Sequence, residues 1–210
     1  MSSLEDRLNK ERSRRKKEIS ELYILVQSTQ EESARKHLLR ALLLLIYAHW
    51  EGFIKSSTVK YLKALQKMGI PCNDLHPSLR AFYLYAQFKT QQGNDWDKFS
   101  EAINSSEGLI FTKDISGEVS TKSNLNTEVF KALVSRIGVS DLGIDLKKGL
   151  IDDGLLSSRN AIAHGEMREI ELSDVINYKN LIVQLLDSYF DQLVDAIDNQ
   201  KYLKTDAIQS

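Results

Sequence analysis

The sequence predicts an all-α protein, a helical bundle with long antiparallel helices. Its 210 residues include only 2 prolines and 10 glycines, so few positions interrupt a helix, and strong helix formers are abundant. Apolar residues make up 42% and charged residues 27% of the chain, with a net charge of -1, which is typical of a globular protein and not of a disordered or wholly basic one. No internal repeat or composition break divides the chain, and we therefore expect one domain over residues 1–210.

The spacing of apolar residues gives the order of the elements. Positions three and four residues apart predict helices over residues 3–29, 30–68, 77–92, 95–104, 127–136, 146–164 and 173–204. The second of these gives the strongest signal, because nothing interrupts it before Gly69 and Pro71. Asn126 is a suitable N-cap for the helix that begins at Thr127. Residues 108–124 carry β-branched and turn-forming residues instead, which predict either a small hairpin or an ordered loop.

Several features favour a cytoplasmic protein without a metal site. The residues from Glu5 onward are charged and lack the apolar core of a secretory signal. The most apolar run, residues 38–50, contains Arg40 and is shorter than the roughly 20 residues that a membrane span needs, so we expect no membrane segment. The single cysteine, Cys72, excludes an intrachain disulfide and a cysteine-built metal site, and the four histidines show no zinc-binding spacing.

Residues 155–165 (LLSSRNAIAHG) combine side chains that suit phosphate-ester chemistry. On a helical wheel, Asn160 and His164 lie one turn apart on the face opposite to the apolar stripe, and Arg159 can swing toward the edge of that face. A histidine can donate or accept a proton near neutral pH, and the planar arginine fork matches a phosphate group. The alternative is a solvated helix end, with the histidine as a cap before Gly165 ends the helix.

The same wheel predicts a surface for a second helix. Ile151 and Ile162 lie in the stripe that faces the core of this chain, whereas Ala161 and Ala163 flank the polar face. These small side chains would let another helix approach closely. Because the polar face points away from the core, only a second surface can shield it from water.

The run Arg159-Asn-Ala-Ile-Ala-His164-Gly165 resembles the Arg-x4–6-His signature of the HEPN superfamily (higher eukaryote and prokaryote nucleotide-binding domains). Residues 47–53 (YAHWEGF) and 123–126 (SNLN) are similar to elements of its stand-alone prokaryotic ribonuclease branch, and the resemblance covers about residues 40–165. In one branch of the family, a tyrosine two residues after the histidine is nucleotidylated. Glu166 stands at that position here, which puts this form of control in doubt.

What the resemblance implies is a helical domain that forms a homodimer and brings two motifs together in one cleft. Members of this type are metal-independent endoribonucleases of toxin–antitoxin and phage-defence systems. The resemblance therefore implies an RNA substrate, no cofactor, and an antitoxin or another regulatory protein as a partner. The alternatives are a non-catalytic HEPN-like module that binds nucleotide or RNA or mediates assembly, and a purely structural helical dimer.

In the expected reaction, the RNA 2′-hydroxyl attacks the adjacent phosphorus and leaves a 2′,3′-cyclic phosphate and a 5′-hydroxyl. His164 would transfer the proton, and Arg159 would stabilise charge on the phosphoryl oxygens. Asn160 would position His164 or the phosphate, unless it caps local backbone. Glu51 lies midway along an apolar helix, and we expect it either to pair with Arg159 or to face solvent.

Residues 7–17 hold seven cationic side chains interspersed with acidic ones. Mixed signs at helical spacing predict a solvated helix with internal ion pairs. The functional alternative is contact with the RNA phosphate backbone through Arg14, Arg15, Lys16 and Lys17, which would make the affinity for RNA fall with salt.

Overall fold

The computed structural model describes residues 3–90, 100, 103 and 108–204. Within that part, the α-helices are α1 (Leu4–Ser28), α2 (Glu32–Met68), α3 (Pro77–Thr90), α4 (Thr127–Arg136), α5 (Ser157–Ala163) and α6 (Leu172–Asp198). Short 3₁₀ helices cover Cys72–Asp74, Ser116–Glu118 and Ile144–Lys147, and one π-helix covers Gly149–Leu156. The described residues contain no β-strand, only two isolated bridges, so the all-α prediction is confirmed.

Helices α1, α2 and α6 pack against one another and form the main bundle. Residues 29–31 join α1 to α2, and such a short connection makes the two helices antiparallel neighbours. Helix α2 has 37 residues and, at a rise of about 1.5 Å per residue, is about 55 Å long. Helix α5 also packs against α2, and α3 packs against α4. Helix α2 thus contacts α1, α5 and α6.

Aromatic side chains fill the centre of the bundle. Trp50 of α2, Phe130 of α4 and Tyr189 of α6 are fully buried. The ring centroids of Trp50 and Phe130 are 5.3 Å apart, and those of Phe130 and Tyr189 are 5.9 Å apart. The Tyr189 hydroxyl forms a hydrogen bond of 2.6 Å with the Thr58 hydroxyl, so its buried polar group is satisfied. This packing anchors α4, and with it the loop that precedes α4, to α2.

The residues expected to begin and end helices do so. Gly69 follows α2 in the left-handed region, with φ of 62°. The Asn126 side-chain oxygen accepts a hydrogen bond of 2.8 Å from the backbone N–H of Val129, as an N-cap does. The helix predicted over residues 95–104 lies almost wholly outside the described residues. No described helix combines the length and the apolar character needed to cross a membrane.

Residues 108–124 form an ordered loop, and the hairpin alternative is wrong. The loop contains one 3₁₀ turn, and its described bridge pairs Ile110 with Pro71 instead of with the other half of the segment. Three of its apolar side chains, Phe111, Ile115 and Val119, are buried, whereas Leu109 and Ile110 are exposed. Apolar residues are therefore used here without strand pairing.

The single helix predicted over residues 146–164 is wrong in its first half. A 3₁₀ turn and then the π-helix Gly149–Leu156 precede α5. Gly154 packs so closely on Tyr178 of α6 that a Cβ atom at this position would lie 2.7 Å from the tyrosine hydroxyl oxygen. Because π-helical hydrogen bonds join residues five apart, each turn holds more residues, and the faces of α5 are rotated relative to an α-helical wheel.

Candidate functional site

The predicted motif lies at the C-terminal end of α5, where backbone hydrogen bonds fix its geometry. Gly165 has φ of 80°, and its N–H donates to the carbonyl of Ile162 at 3.0 Å. The N–H of Glu166 donates to the carbonyl of Ala161 at 2.9 Å. This pair of bonds is a Schellman motif, which satisfies the last carbonyls of the helix. Gly165 therefore ends the helix as predicted, and His164 is held at its terminus.

The π-helix changes which residues of α5 face the bundle. Leu155, Ser158 and Ala161 are buried, whereas Ala163 and His164 are exposed. The prediction that Ala161 flanks the exposed face is therefore wrong, because the wheel assumed α-helical phase through residues that form the π-helix. Ala163 lies on the exposed side as expected.

Two neighbours restrict the Arg159 guanidinium. Its Nη1 donates a hydrogen bond of 2.8 Å to the side-chain oxygen of Asn160. Its Cζ lies 4.8 Å from the centroid of the Tyr47 ring, a cation–π contact. The Asn160 side chain thus contacts Arg159. The sequence instead predicted a role in positioning His164 or the phosphate, or in capping local backbone. Both contacts orient the guanidinium before any ligand is bound.

Tyr47 links Arg159 to the loop before α4. The ring is buried, and its hydroxyl oxygen accepts a hydrogen bond of 2.6 Å from the backbone N–H of Leu125. Burial, followed by the negative charge of Glu51 one turn further along α2, raises the pKa of the Tyr47 hydroxyl, which stays protonated. Sequence reasoning missed Tyr47 as a site residue. Tyr47 precedes Glu51 by four residues, so the two side chains lie on one face of α2, and this spacing could have identified Tyr47 as a neighbour of the predicted site residue.

The predicted ion pair between Glu51 and Arg159 is not formed. Glu51 is half-buried, and its Oε1 accepts a hydrogen bond of 2.5 Å from the hydroxyl of Thr121. Neither predicted alternative, a pair with arginine or a solvent-facing carboxylate, describes it. The physical reason is that Tyr47 contacts both the Glu51 carboxylate and the Arg159 guanidinium. The guanidinium lies over the aromatic ring, and the carboxylate accepts its hydrogen bond from the loop instead.

A second arginine, Arg40 of α2, holds the residues that follow the motif. Its Nη2 donates to the carbonyl of Glu166 at 2.9 Å and its Nη1 to the carbonyl of Arg168 at 3.1 Å. Arg40 and Tyr47 are seven residues apart, so they lie on the same face of α2. That face supports both ends of the motif. Sequence reasoning treated Arg40 only as a break in an apolar run, although this spacing could have revealed it.

The His164 imidazole is exposed, and none of the hydrogen bonds of the described residues involves it. Three large apolar side chains before and after the motif are also exposed, namely Leu146, Leu150 and Met167. The described part of the chain contains no group of three His, Cys, Asp or Glu side chains that could hold a metal ion. The motif therefore presents a positioned guanidinium and an exposed imidazole.

The cations of α1 lie in different surroundings. Arg14 and Lys17 are exposed, and each pairs with the glutamate four residues later, at 2.6 Å and 3.6 Å, which fits the solvated helix. Lys16 pairs with Asp187 of α6 at 2.8 Å. These pairs leave the three side chains at the surface of the domain.

Arg15 is buried, and the prediction that it contacts RNA is wrong. Its Nη2 donates to Oε1 of Glu11 at 2.6 Å, and its Nη1 lies 3.3 Å from Nδ1 of His49 in α2. Gly52 leaves the room for this guanidinium, since a Cβ atom there would lie 2.7 Å from Nη1. Burial lowers the pKa of His49 to about 4, so the imidazole is neutral and its Nδ1 accepts the hydrogen bond. This buried network joins α1 to α2.

Comparison with known families supports the family that the motif resembles. The family model described as HEPN_MAE_28990-like HEPN matches residues 4–202, from the start of α1 to the turn after α6. Comparisons with curated proteins and with solved structures gave no match.

Proposed function

Because the chain belongs to the HEPN family, we propose that it is a metal-independent endoribonuclease that cleaves RNA by attack of the 2′-hydroxyl. Membership itself indicates a nucleotide-binding or ribonuclease-like function. The observation that carries the finer proposal is the arrangement at the end of α5. There, Asn160 and Tyr47 hold the Arg159 guanidinium, and the His164 imidazole at the end of the same helix is exposed to solvent.

In the proposed reaction, the 2′-oxygen forms a bond to phosphorus and the bond from phosphorus to the 5′-oxygen breaks. A proton leaves the 2′-hydroxyl and another is delivered to the departing 5′-oxygen, which leaves a 2′,3′-cyclic phosphate and a 5′-hydroxyl. His164 transfers a proton, and the N–H donors of Arg159 stabilise the negative charge that builds on the nonbridging oxygens. Asn160 and Tyr47 act through Arg159, as positioning residues.

A homodimer is part of the proposal. The reaction needs both a base and an acid, and one chain offers one exposed imidazole at the motif. The exposed side chains of Leu146 and Met167, which precede and follow the motif in the sequence and have relative exposures of 92% and 95%, supply apolar surface that a second copy would cover. Ala163, small and exposed, would let the second chain approach closely. Two copies of His164 could then serve as base and acid across one groove.

The cellular role that we propose is that of a toxin or phage-defence effector controlled by an antitoxin or another regulatory protein. Arg14, Lys16 and Lys17 stay candidates for contact with the RNA backbone because they lie at the surface. Replacing all three with alanine should then make RNA affinity depend less steeply on salt. Expression in bacteria should arrest growth, and His164→Ala should relieve the arrest.

The decisive test is cleavage by purified protein in the presence of EDTA. We expect the wild type to leave cyclic phosphate and 5′-hydroxyl ends, identified by mass spectrometry, and His164→Ala to be about 10²–10⁴-fold slower. His37→Ala is the matched control, because His37 is an exposed histidine on α2 that has no part in the proposed reaction. Wild-type cleavage rates in a folded His164→Ala protein would contradict the mechanism. RNA binding without cleavage by the wild type would favour the non-catalytic HEPN-like module.

A further inference from the structure

An open cleft of about 530 Å³ lies between the loop of residues 120–126 and helix α4. Its polar lining combines two cations, one carboxylate, two amides and a hydroxyl, from Lys122, Arg136, Glu128, Asn124, Asn126 and Ser120. Such a mixture of donors and acceptors suits a flat polar ring more than a phosphate group, which would be repelled by the carboxylate. None of these residues has a part in the reaction proposed above.

The loop that forms one wall of the cleft has an unfavourable backbone conformation. Lys122 and Ser123 both have φ of 54°, in the left-handed region that residues with a Cβ atom rarely adopt. The flanking residues Thr121 and Leu125 hold the loop to α2 through the bonds to Glu51 and Tyr47. Strained conformations persist only where the surroundings fix them, and they are concentrated at binding sites.

Tyr47 links the candidate catalytic arginine to the loop that forms the wall of the cleft. The Tyr47 ring lies against the Arg159 guanidinium, and the hydroxyl of the same ring accepts the N–H of Leu125 within the loop. One tyrosine side chain therefore separates the motif from the wall of the cleft.

We propose that this cleft binds a base of single-stranded RNA next to the cleaved phosphate and that it prefers guanine, an inference that rests on the proposed ribonuclease function. Guanine carries two adjacent donors, N1–H and the N2 amine, which match the two oxygens of the Glu128 carboxylate. Its O6 and N7 accept hydrogen bonds from cations such as Lys122 and Arg136. Adenine and cytosine offer a carboxylate one amine, and uracil offers one N–H.

The lining residues are placed for this recognition. The Arg136 guanidinium lies 5.8 Å from the centroid of the Phe82 ring, which restricts its motion. Asn126 uses its side-chain oxygen to cap α4, so its amide N–H groups are directed elsewhere. Glu128 is exposed and forms no ion pair with any residue in the described part of the chain. The carboxylate can therefore accept both donors of one base.

The test measures binding, not cleavage, so that it is independent of the catalytic proposal. Fluorescein-labelled pentaribonucleotides of sequence AANAA, with G, A, C, U or inosine at N, are titrated into His164→Ala protein and followed by anisotropy. We expect the guanine probe to bind about tenfold more tightly than the uracil and inosine probes, since inosine lacks the N2 amine. Glu128→Gln in the same background should abolish the preference for guanine over inosine. Asp191→Asn, which removes an exposed carboxylate from α6, should preserve it.

The outcomes separate the two proposals. Equal binding of all five probes would overturn the base-binding cleft, and so would a guanine preference that survives Glu128→Gln. A guanine preference that depends on Glu128, in a wild-type protein that cuts no RNA, would support the cleft and reject the ribonuclease proposal alone. If His164→Ala proves unfolded by circular dichroism, His164→Asn provides the second inactive background.

Discussion

Replacing Gly52 with alanine tests how α1 is held against α2. The added Cβ atom would lie 3.1 Å from Nη2 of Arg15 and 2.7 Å from its Nη1, and the second distance is shorter than real Cβ contacts. The guanidinium would have to move. Because Arg15 is buried and bonded to Glu11 and His49, this movement would break hydrogen bonds in a largely buried interface.

The size of the effect follows from two opposing terms. Alanine is better than glycine in a helix interior by about 1 kcal/mol. A hydrogen bond to a charged group contributes about 1.5–3 kcal/mol, and the carboxylate that loses Arg15 keeps its bonds to Ser56 and Lys60. We therefore expect a net destabilisation of about 0.5–2 kcal/mol, which lowers the melting temperature of a protein of this size by about 1–8 °C.

Urea unfolding followed by circular dichroism measures this change. Gly149→Ala is the matched control, since nothing lies within 4 Å of a Cβ atom there, and we expect it to be neutral or slightly stabilising. In an Arg15→Met background, Gly52→Ala should no longer destabilise, because the guanidinium is gone. If Gly52→Ala alone stabilised the protein by the full helix-propensity gain, the close packing of Arg15 on this glycine would be refuted.

Three further predictions concern single side chains. Burial lowers the pKa of His49 from 6.5 to about 4, so between these pH values the unfolded chain binds a proton that the native protein does not. The free energy of unfolding should therefore decrease by about 3 kcal/mol as the pH falls from 6.5 to 4. In urea titrations, His49→Gln should reduce this dependence on pH. Tyr47→Phe leaves the buried N–H of Leu125 without its acceptor and should destabilise the protein by about 1–3 kcal/mol, measured by thermal unfolding. Tyr47→Leu also removes the ring that contacts Arg159, and it should reduce RNA cleavage more than Tyr47→Phe does. Arg40→Met removes two hydrogen bonds to the backbone after the motif, so the amides there should exchange faster in hydrogen-exchange mass spectrometry, and kcat should fall more than KM changes.

Local signals allowed much of the fold to be predicted from the sequence. A helix end depends on residues within one turn of it, so Gly69, Asn126 and Gly165 could be assigned from their neighbours alone. The length of α2 followed from an uninterrupted apolar pattern, because a helix face is a local property of the chain. The fit of the family model to residues 4–202 agrees with the resemblance that the motif indicated.

The partners of the polar side chains could not be predicted, because they come from distant parts of the chain. The partner of Glu51 is Thr121, in an irregular loop whose path depends on tertiary packing. The burial of Arg15 depends on a glycine across the α1–α2 interface. The π-helix accompanies the close packing of Tyr178 on Gly154. Composition and spacing identify candidate residues, but they do not determine which of these side chains contact one another in the folded protein.

The motif lies on a short helix, but α2 determines its position. A helix of seven residues such as α5 is too short to be stable alone, so tertiary contacts have to fix its side chains. Two residues of one α2 face supply those contacts, Tyr47 beneath the guanidinium of Arg159 and Arg40 on the backbone after His164. The arginine is thereby oriented during folding, which spares the entropy of ordering it when a phosphate binds. The described part of the chain gives the His164 imidazole no such support, and the homodimer that we propose would complete the site by adding a second copy of it.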